Sequence, residues 1–137
     1  MKGFFLLKII LLLLLPNFVS AQKNHDNSIV ISHFISSSKI KNVLFQQGWT
    51  FEQNTDTAFL FTKEKQITAA FRNQMKLSFF ITDSSVYIKG TFKFTDDKME
   101  FTEIKYAPPF KKGKQLDWDE MNRIAKLFSA SVYYIRQ

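Results

Sequence analysis

Residues able to carry acid–base or nucleophilic chemistry are few in this chain of 137 residues. There is no cysteine, which excludes thiolate nucleophiles and thiolate metal ligands. Of the two histidines, His25 lies near the start of the expected domain and His33 lies beside β-branched residues. No Gly-x-Ser-x-Gly motif is present, so no nucleophile elbow is indicated. The sequence therefore predicts no catalytic centre, and we expect a protein that is not an enzyme and needs no cofactor.

The densest group of acidic residues also has a structural explanation. Asp96 and Asp97 lie in the segment TDDK, where aspartate is favoured because its side chain bonds to nearby backbone groups in turns. Glu100 and Glu103 are three positions apart, so in a regular strand they face opposite ways. We therefore predict a solvated turn rather than a metal site.

A basic loop is the first candidate for binding. The segment PPFKKGKQ, residues 108–115, contains two prolines, one glycine and three lysines. Phe110, Lys111 and Lys112 stand together there, a combination that suits anionic lipid, an anionic glycan or an acidic patch on a partner. The alternative is a connector without a binding role, because most loops only join elements.

Aromatic residues on predicted strands are the second candidate. Phe79 and Phe80 are consecutive, so they point to opposite faces of a sheet. If Phe79 faces the helices, then Leu60, Phe80 and Tyr87 are predicted on the open face. A shift of one residue in register would reverse that assignment. Apolar residues on both faces indicate that something covers the second face, unless they are few and scattered.

The elements that must position these residues follow from periodicity. A strand over 28–35 is followed by a helix over 36–49, with a serine cap at its start and Gly48 at its end. Period-two segments then continue to about residue 107, and the clearest of them is VYIKGTFKF, residues 86–94. Gly90 in its middle predicts a bulge, a bend or a close approach.

A second helix is predicted from about residue 116. Asp117 and Glu120 match a capping box, with Asp117 in the cap role. An apolar stripe with helical spacing follows. It consists of Met121, Ile124, Ala125, Phe128 and Val132.

The predicted fold class is α+β. We expect an antiparallel meander of five to seven strands with two helices packed on one face, in the order strand, helix, strands, helix. This order is similar to the TATA-binding-protein-like and helix-grip topologies, in which a curved sheet wraps helices. Only the element order carries the similarity, so it implies a fold and transfers no site residue.

The N-terminal stretch has the pattern of an export signal. Lys2 precedes an apolar run that is interrupted only by Lys8, and Val19-Ser20-Ala21 offers small residues for cleavage. We therefore expect a signal peptide over 1–21, a flexible segment over 22–27 and one domain over 28–137. The expected location is the periplasm or the medium, with membrane contact only through the signal before cleavage.

Charge argues against nucleic acid as a partner. The formal net charge is +7, and removing Lys2 and Lys8 leaves 17 basic against 12 acidic residues, or +5. The remaining lysines mostly alternate with apolar residues along predicted strands, whereas nucleic-acid binding usually requires a dense basic stripe.

These observations favour a non-enzymatic binding domain that uses an aromatic sheet face or a cavity for a partner protein or an apolar ligand. One alternative is a small hydrolase or isomerase without a cofactor, with Tyr87, Tyr106 and Glu103 as candidates. A second alternative is an envelope-associated structural protein that self-associates through sheet edges, giving a homo-oligomer.

Overall fold

The computed structural model describes residues 22–23, 25–53, 56–67, 73–94, 100–106 and 112–137. Within these ranges, no helix is both long enough and apolar enough to cross a membrane.

The described residues form an α+β fold with two helices and an antiparallel sheet of seven strands. This confirms the predicted fold class. The elements in chain order are β1 (Ser28–Ile31), α1 (Ser37–Gln46), β2 (Phe59–Phe61), β3 (Lys65–Gln66), β4 (Asn73–Ile81), β5 (Val86–Phe94), β6 (Thr102–Glu103), α2 (Lys112–Phe128) and β7 (Tyr133–Ile135).

The first helix is shorter than the predicted 36–49, but it has the predicted serine cap and a glycine after its end. The Ser36 side chain accepts a hydrogen bond from the backbone N–H of Lys39 at 3.3 Å, which satisfies one of the free donors of the first turn. Gly48 has a φ of 82°, the left-handed conformation that glycine adopts at helix ends without a steric penalty. Ile40 and Leu44, four positions apart, are both buried.

The sheet order is β2-β4-β5-β1-β7, with β3 also paired to β4 and β6 to β5. The predicted simple meander is therefore wrong in one respect, because β1 lies between β5 and β7 rather than at an edge. All four residues of β1 are buried, so this short apolar strand is accommodated best with a neighbour on each side.

One face of the sheet carries the hydrophobic core. Along β4 and β5, alternate residues are buried beneath the helices, among them Leu77, Phe79 and Ile88. A Cβ added at Gly90 would lie 2.8 Å from both Ile104 Cδ1 and Met121 Sδ. Of the possibilities predicted for this glycine, close approach is therefore the one observed.

The second helix begins earlier than the sequence predicts. It starts at Lys112, so residues 112–115 are helical rather than part of a loop. Lysine and glutamine are good helix formers, which allows the helix to extend back toward the prolines. Asp117 is consequently inside the helix and only 1% exposed, and its predicted role as the N-cap is wrong.

Candidate functional site: an aromatic row on the open face

A line of large side chains crosses the face of the sheet opposite the core. Strand register places Phe59 opposite Phe80, Phe80 opposite Tyr87, Tyr87 opposite Val30, and Val30 opposite Tyr133. These five residues are called the aromatic row. Because each belongs to a different neighbouring strand, the row extends about 19 Å across the sheet at about 4.8 Å per strand.

The side chains at the two ends of the row are exposed, whereas Val30, between Tyr87 and Tyr133, is buried. Phe59 is 41% exposed, Phe80 is 40% exposed and Tyr133 is 46% exposed. The Phe59 and Phe80 rings are stacked with centroids 4.7 Å apart and 19° between their planes. Tyr87 lies on the other side of Phe80, with a centroid distance of 6.0 Å and a tilt of 33°. The rings of Phe59, Phe80 and Tyr87 are therefore packed against one another.

A tight turn sets the register that brings Phe80 opposite Tyr87. The backbone N–H of Thr82 donates to the carbonyl of Ser85 at 2.9 Å. The Thr82 hydroxyl oxygen accepts from the backbone N–H of Ser85 at 3.0 Å. This polar closure fixes the hairpin between β4 and β5, and with it the alternation of faces along both strands.

The position of β2 is fixed by two further bonds. The Asp56 carboxylate accepts from the backbone N–H of Ala58 at 2.8 Å. The carbonyl of Ala58 in turn accepts from the backbone N–H of Ile81 at 2.8 Å. Together they align β2 with the end of β4 and put the Phe59 ring against Phe80.

A groove adjoins the row along β4 and β5. It encloses about 370 Å³ and is called here the lysine groove. Lys89 is two residues beyond Tyr87 on β5, and Lys76 lies four residues before Phe80 on β4. The side chains that shape the groove include Phe61, Lys76, Ser78, Lys89, Thr91 and Glu103.

Two acids line the groove, Glu52 and Glu103, and the second is engaged within the protein. Glu103 accepts a hydrogen bond from the Asn27 amide at 3.0 Å and lies 3.6 Å from the Lys105 ammonium. Asn27 is itself buried, as is the neighbouring Asp26, so this polar group is part of the folded domain.

The lysines of the groove differ in their surroundings. Lys76 Nζ lies 4.5 Å from the centre of the Phe101 ring, and Lys93 Nζ lies 4.6 Å from the same ring. Lys93 also approaches Glu64 at 3.9 Å. Among the residues that the structure describes, neither Lys76 nor Lys89 forms an ion pair.

A wider hollow opens on the β2 side of the row. Its volume is about 1120 Å³, and its walls combine aromatic and charged residues. They are Lys41, Phe51, Glu52, Gln53, Asp56, Phe59 and Phe61.

Two of the three predicted open-face residues lie where the sequence places them. Phe80 and Tyr87 are on the open face and adjacent. Leu60 is not, because it pairs with Phe79 and is only 2% exposed, on the core face. The predicted strand spacing was correct, but the register of β2 against β4 puts Phe59 and Phe61 outward instead.

The basic loop candidate falls mainly outside the described residues. Phe110 and Lys111 lie there, and Lys112 is the first residue of α2, with its side chain outside the described part. Sequence reasoning missed Phe59, Phe61 and Tyr133 as members of the open face. The sequence does indicate that Phe59 and Phe61 share one face of a strand, because they are two positions apart. Which face that is becomes clear only from the pairing of β2 with β4.

The residues proposed for an enzymatic alternative are not brought together. Tyr106 packs edge-on against Trp118 at a centroid distance of 5.9 Å. Glu103 pairs with Thr91, which is four residues from Tyr87 on β5 and thus about 13 Å away along the strand. Within the described ranges, no three His, Cys, Asp or Glu side chains are grouped to hold a metal ion.

Two residues with shifted pKa values lie on α2, which packs on the core side of the sheet. Partial burial raises the pKa of the Asp119 carboxyl. The hydrogen bonds that Arg123 donates to Glu120, at 2.8 and 2.9 Å, raise the pKa of the Arg123 guanidinium. These shifts belong to the surface of the helix and not to the aromatic row.

No protein-family model matches this chain, and comparison with curated proteins and with solved structures gives no significant match either.

Proposed function

We propose that this protein is a non-enzymatic interaction domain that docks a partner protein on its aromatic row. The observation that carries the proposal is the register of five strands, which lines up Phe59, Phe80, Tyr87, Val30 and Tyr133 across the sheet. Isolated exposed apolar residues need no explanation, but a contiguous apolar surface is typical of an interaction site.

The shape of the surface favours a protein over a small apolar ligand. A small ligand needs a concave, mostly apolar pocket that buries most of its area. Both cavities beside the row have charged side chains in their walls, including Lys76 in one and Lys41 in the other. A protein can instead cover an open row and leave these charges at its rim.

The sheet edge at β2 is less suited to self-association. The backbone N–H of Glu52 donates to the carbonyl of Phe61 at 2.8 Å, and that of Lys63 donates to the carbonyl of Thr50 at 2.8 Å. The segment after α1 thus already occupies hydrogen-bonding groups of this edge, which blunts it as a template for another strand.

Export is part of the same proposal and is supported by the pattern of residues 1–21. An exported protein of this kind meets its partner in the periplasm or the medium. The intact mass of exported material should correspond to a start at Gln22 or within a few residues, and a mass that retains residues 1–21 would contradict export with cleavage. The similarity to TATA-binding-protein-like and helix-grip topologies concerns element order and adds no functional residue.

Site-specific photocrosslinking in the cells that make the protein tests the docking surface. The photoreactive residue p-benzoylphenylalanine replaces Phe80, and a matched variant carries it at Phe45, which is 72% exposed on α1. We expect a discrete protein adduct from position 80 that position 45 does not give. The Phe59→Asp substitution should abolish that adduct while the protein still unfolds cooperatively.

Two results would overturn the proposal. One is equal crosslinking from positions 80 and 45, which would mean that collisions are non-specific. The other is the absence of a protein adduct from position 80, together with a bound mass of a few hundred daltons in native mass spectrometry. That result would assign the face to a small apolar ligand.

A further inference from the structure

The lysine groove beside the aromatic row identifies the chemistry of the partner. We infer that the docked surface belongs to an acidic protein segment that places carboxylates next to exposed apolar side chains. This inference rests on the proposed function, since it concerns the occupant of the same face.

The first argument is the geometry of charge around the row. Lys89 shares its face of β5 with Tyr87, and Lys76 shares its face of β4 with Phe80. At about 3.3 Å per residue, Lys89 lies about 7 Å and Lys76 about 13 Å from the row along the strands. An extended partner segment that runs parallel to β4 and β5, with an apolar residue on Phe80 or Tyr87, would bring its side chains two to four residues further on within reach of both ammonium groups.

The second argument is that these two lysines lack a carboxylate partner among the described residues. Glu103 is satisfied by Asn27 and Lys105 at 3.0 and 3.6 Å. Glu52 also lines the groove, but it is exposed and forms no ion pair with a described lysine. A carboxylate supplied by the partner would complement Lys76 and Lys89, and charge complementarity of this kind gives specificity and speeds association.

The Phe80 ring has a ring neighbour on each side. The faces of Phe80 are occupied by Phe59 at 4.7 Å and Tyr87 at 6.0 Å. A nucleobase or a sugar that stacks requires a free ring face, and at Phe80 both faces have a ring neighbour. Aliphatic or aromatic side chains of a protein pack well against ring edges.

A second copy of the chain fits the face less well. Two copies packed face to face about a two-fold axis through the groove would place Lys76 and Lys89 opposite the same lysines. Like charges placed against each other across an interface are costly, so self-pairing is disfavoured. An acidic partner turns the same two positions into attractive contacts.

Synthetic peptides provide the test with purified protein. The probe is an acetylated peptide of alternating Glu and Leu, and the matched peptides alternate Gln and Leu or Lys and Leu. Binding is measured by fluorescence anisotropy and mapped by amide chemical shifts on β4 and β5. We expect the Glu–Leu peptide to bind about tenfold more tightly than the Gln–Leu peptide, and the advantage to fall between about 0.05 and 0.5 M salt.

Variants assign the effect to the groove. The double variant Lys76→Glu with Lys89→Glu should lose the preference for Glu–Leu and gain one for Lys–Leu. The control Lys126→Glu changes an exposed lysine in the last turn of α2 and should leave both affinities unchanged. A normal urea unfolding curve for each variant separates lost binding from lost folding.

The outcomes also separate this inference from the proposed function. Equal binding of all three peptides with loss on Phe80→Asp would overturn the acidic partner and leave the docking face standing. No Glu–Leu binding at about 1 mM, an affinity near 4 kcal/mol, would overturn the inference. Binding to phosphatidylglycerol vesicles that depends on Phe80, in place of peptide binding, would assign the face to a membrane surface and overturn it as well.

Discussion

The two faces of β4 and β5 are made from the same strands but have different chemistry. On the core face, Val86, Ile88 and Gly90 alternate along β5 and are buried against helix and sheet. On the open face, Tyr87, Lys89 and Thr91 occupy the intervening positions and stay partly exposed. On β5 the core face therefore carries aliphatic residues and a closely fitted glycine, whereas the open face carries a ring, a lysine and a threonine.

The difference shows which face has its packing completed by folding. Gly90 is fitted to its surroundings, because a single added carbon would lie 2.8 Å from Ile104 and Met121. Phe80, one strand away on the open face, retains 40% exposure despite two ring neighbours. Folding thus completes the contacts of one face and leaves aromatic surface exposed on the other.

The largest expected effect comes from a pair of neighbouring residues. Phe79→Ala should destabilise the protein by about 3–5 kcal/mol, because a fully buried ring is removed and a cavity remains. Phe80→Ala should cost about 0.5–1.5 kcal/mol, chiefly the stacking with Phe59. Urea unfolding followed by circular dichroism measures both. Equal costs for the two variants would mean that the faces are not distinct at this position.

A smaller effect is expected at Gly90. Gly90→Val should destabilise by about 1–3 kcal/mol, because the added methyl groups overpack against Ile104 and Met121. Gly90→Ala should cost less, since the nearest atoms are the ends of flexible side chains. The matched change Thr91→Val, on the open face, should stay within about 0.5 kcal/mol. Thermal unfolding of the three variants gives the order, and a harmless Gly90→Val would show that the core face is looser than described.

Much of the fold was predictable from local signals. The serine cap at Ser36, the left-handed Gly48 and the period-two segment Val86–Phe94 each act over a few residues, so the sequence contains the information. The apolar stripe of α2 also lies against the core as predicted, with Met121 and Ile124 fully buried.

Non-local pairing was not predictable in the same way. The place of β1 between β5 and β7 joins residues about a hundred positions apart, such as Val30 and Tyr133. The register of β2 against β4 decided whether Leu60 or its neighbours face outward, and a change of one residue inverts the answer. The aromatic row combines both kinds of pairing, so single residues of it were predicted but the row was not.

The smallest expected effect concerns Asp119 on α2, the helix that packs on the core face of the sheet. Asp119 on α2 is exposed overall, yet partial burial of its carboxyl raises its pKa above the ordinary value. The folded protein therefore holds this proton to a higher pH than the unfolded chain does. The resulting contribution to stability is complete below about pH 4, the ordinary range of the group, and is lost as the pH rises through the folded-state pKa.

Asp119→Asn removes this titration, because an amide does not ionise. The stability of the variant relative to the natural protein should therefore be greater at about pH 7 than at about pH 3. A shift of the opposite sign at Asp119 would mean that its carboxylate is stabilised rather than desolvated. The carboxylate on α2 would then be as well accommodated as the charged groups of the open face.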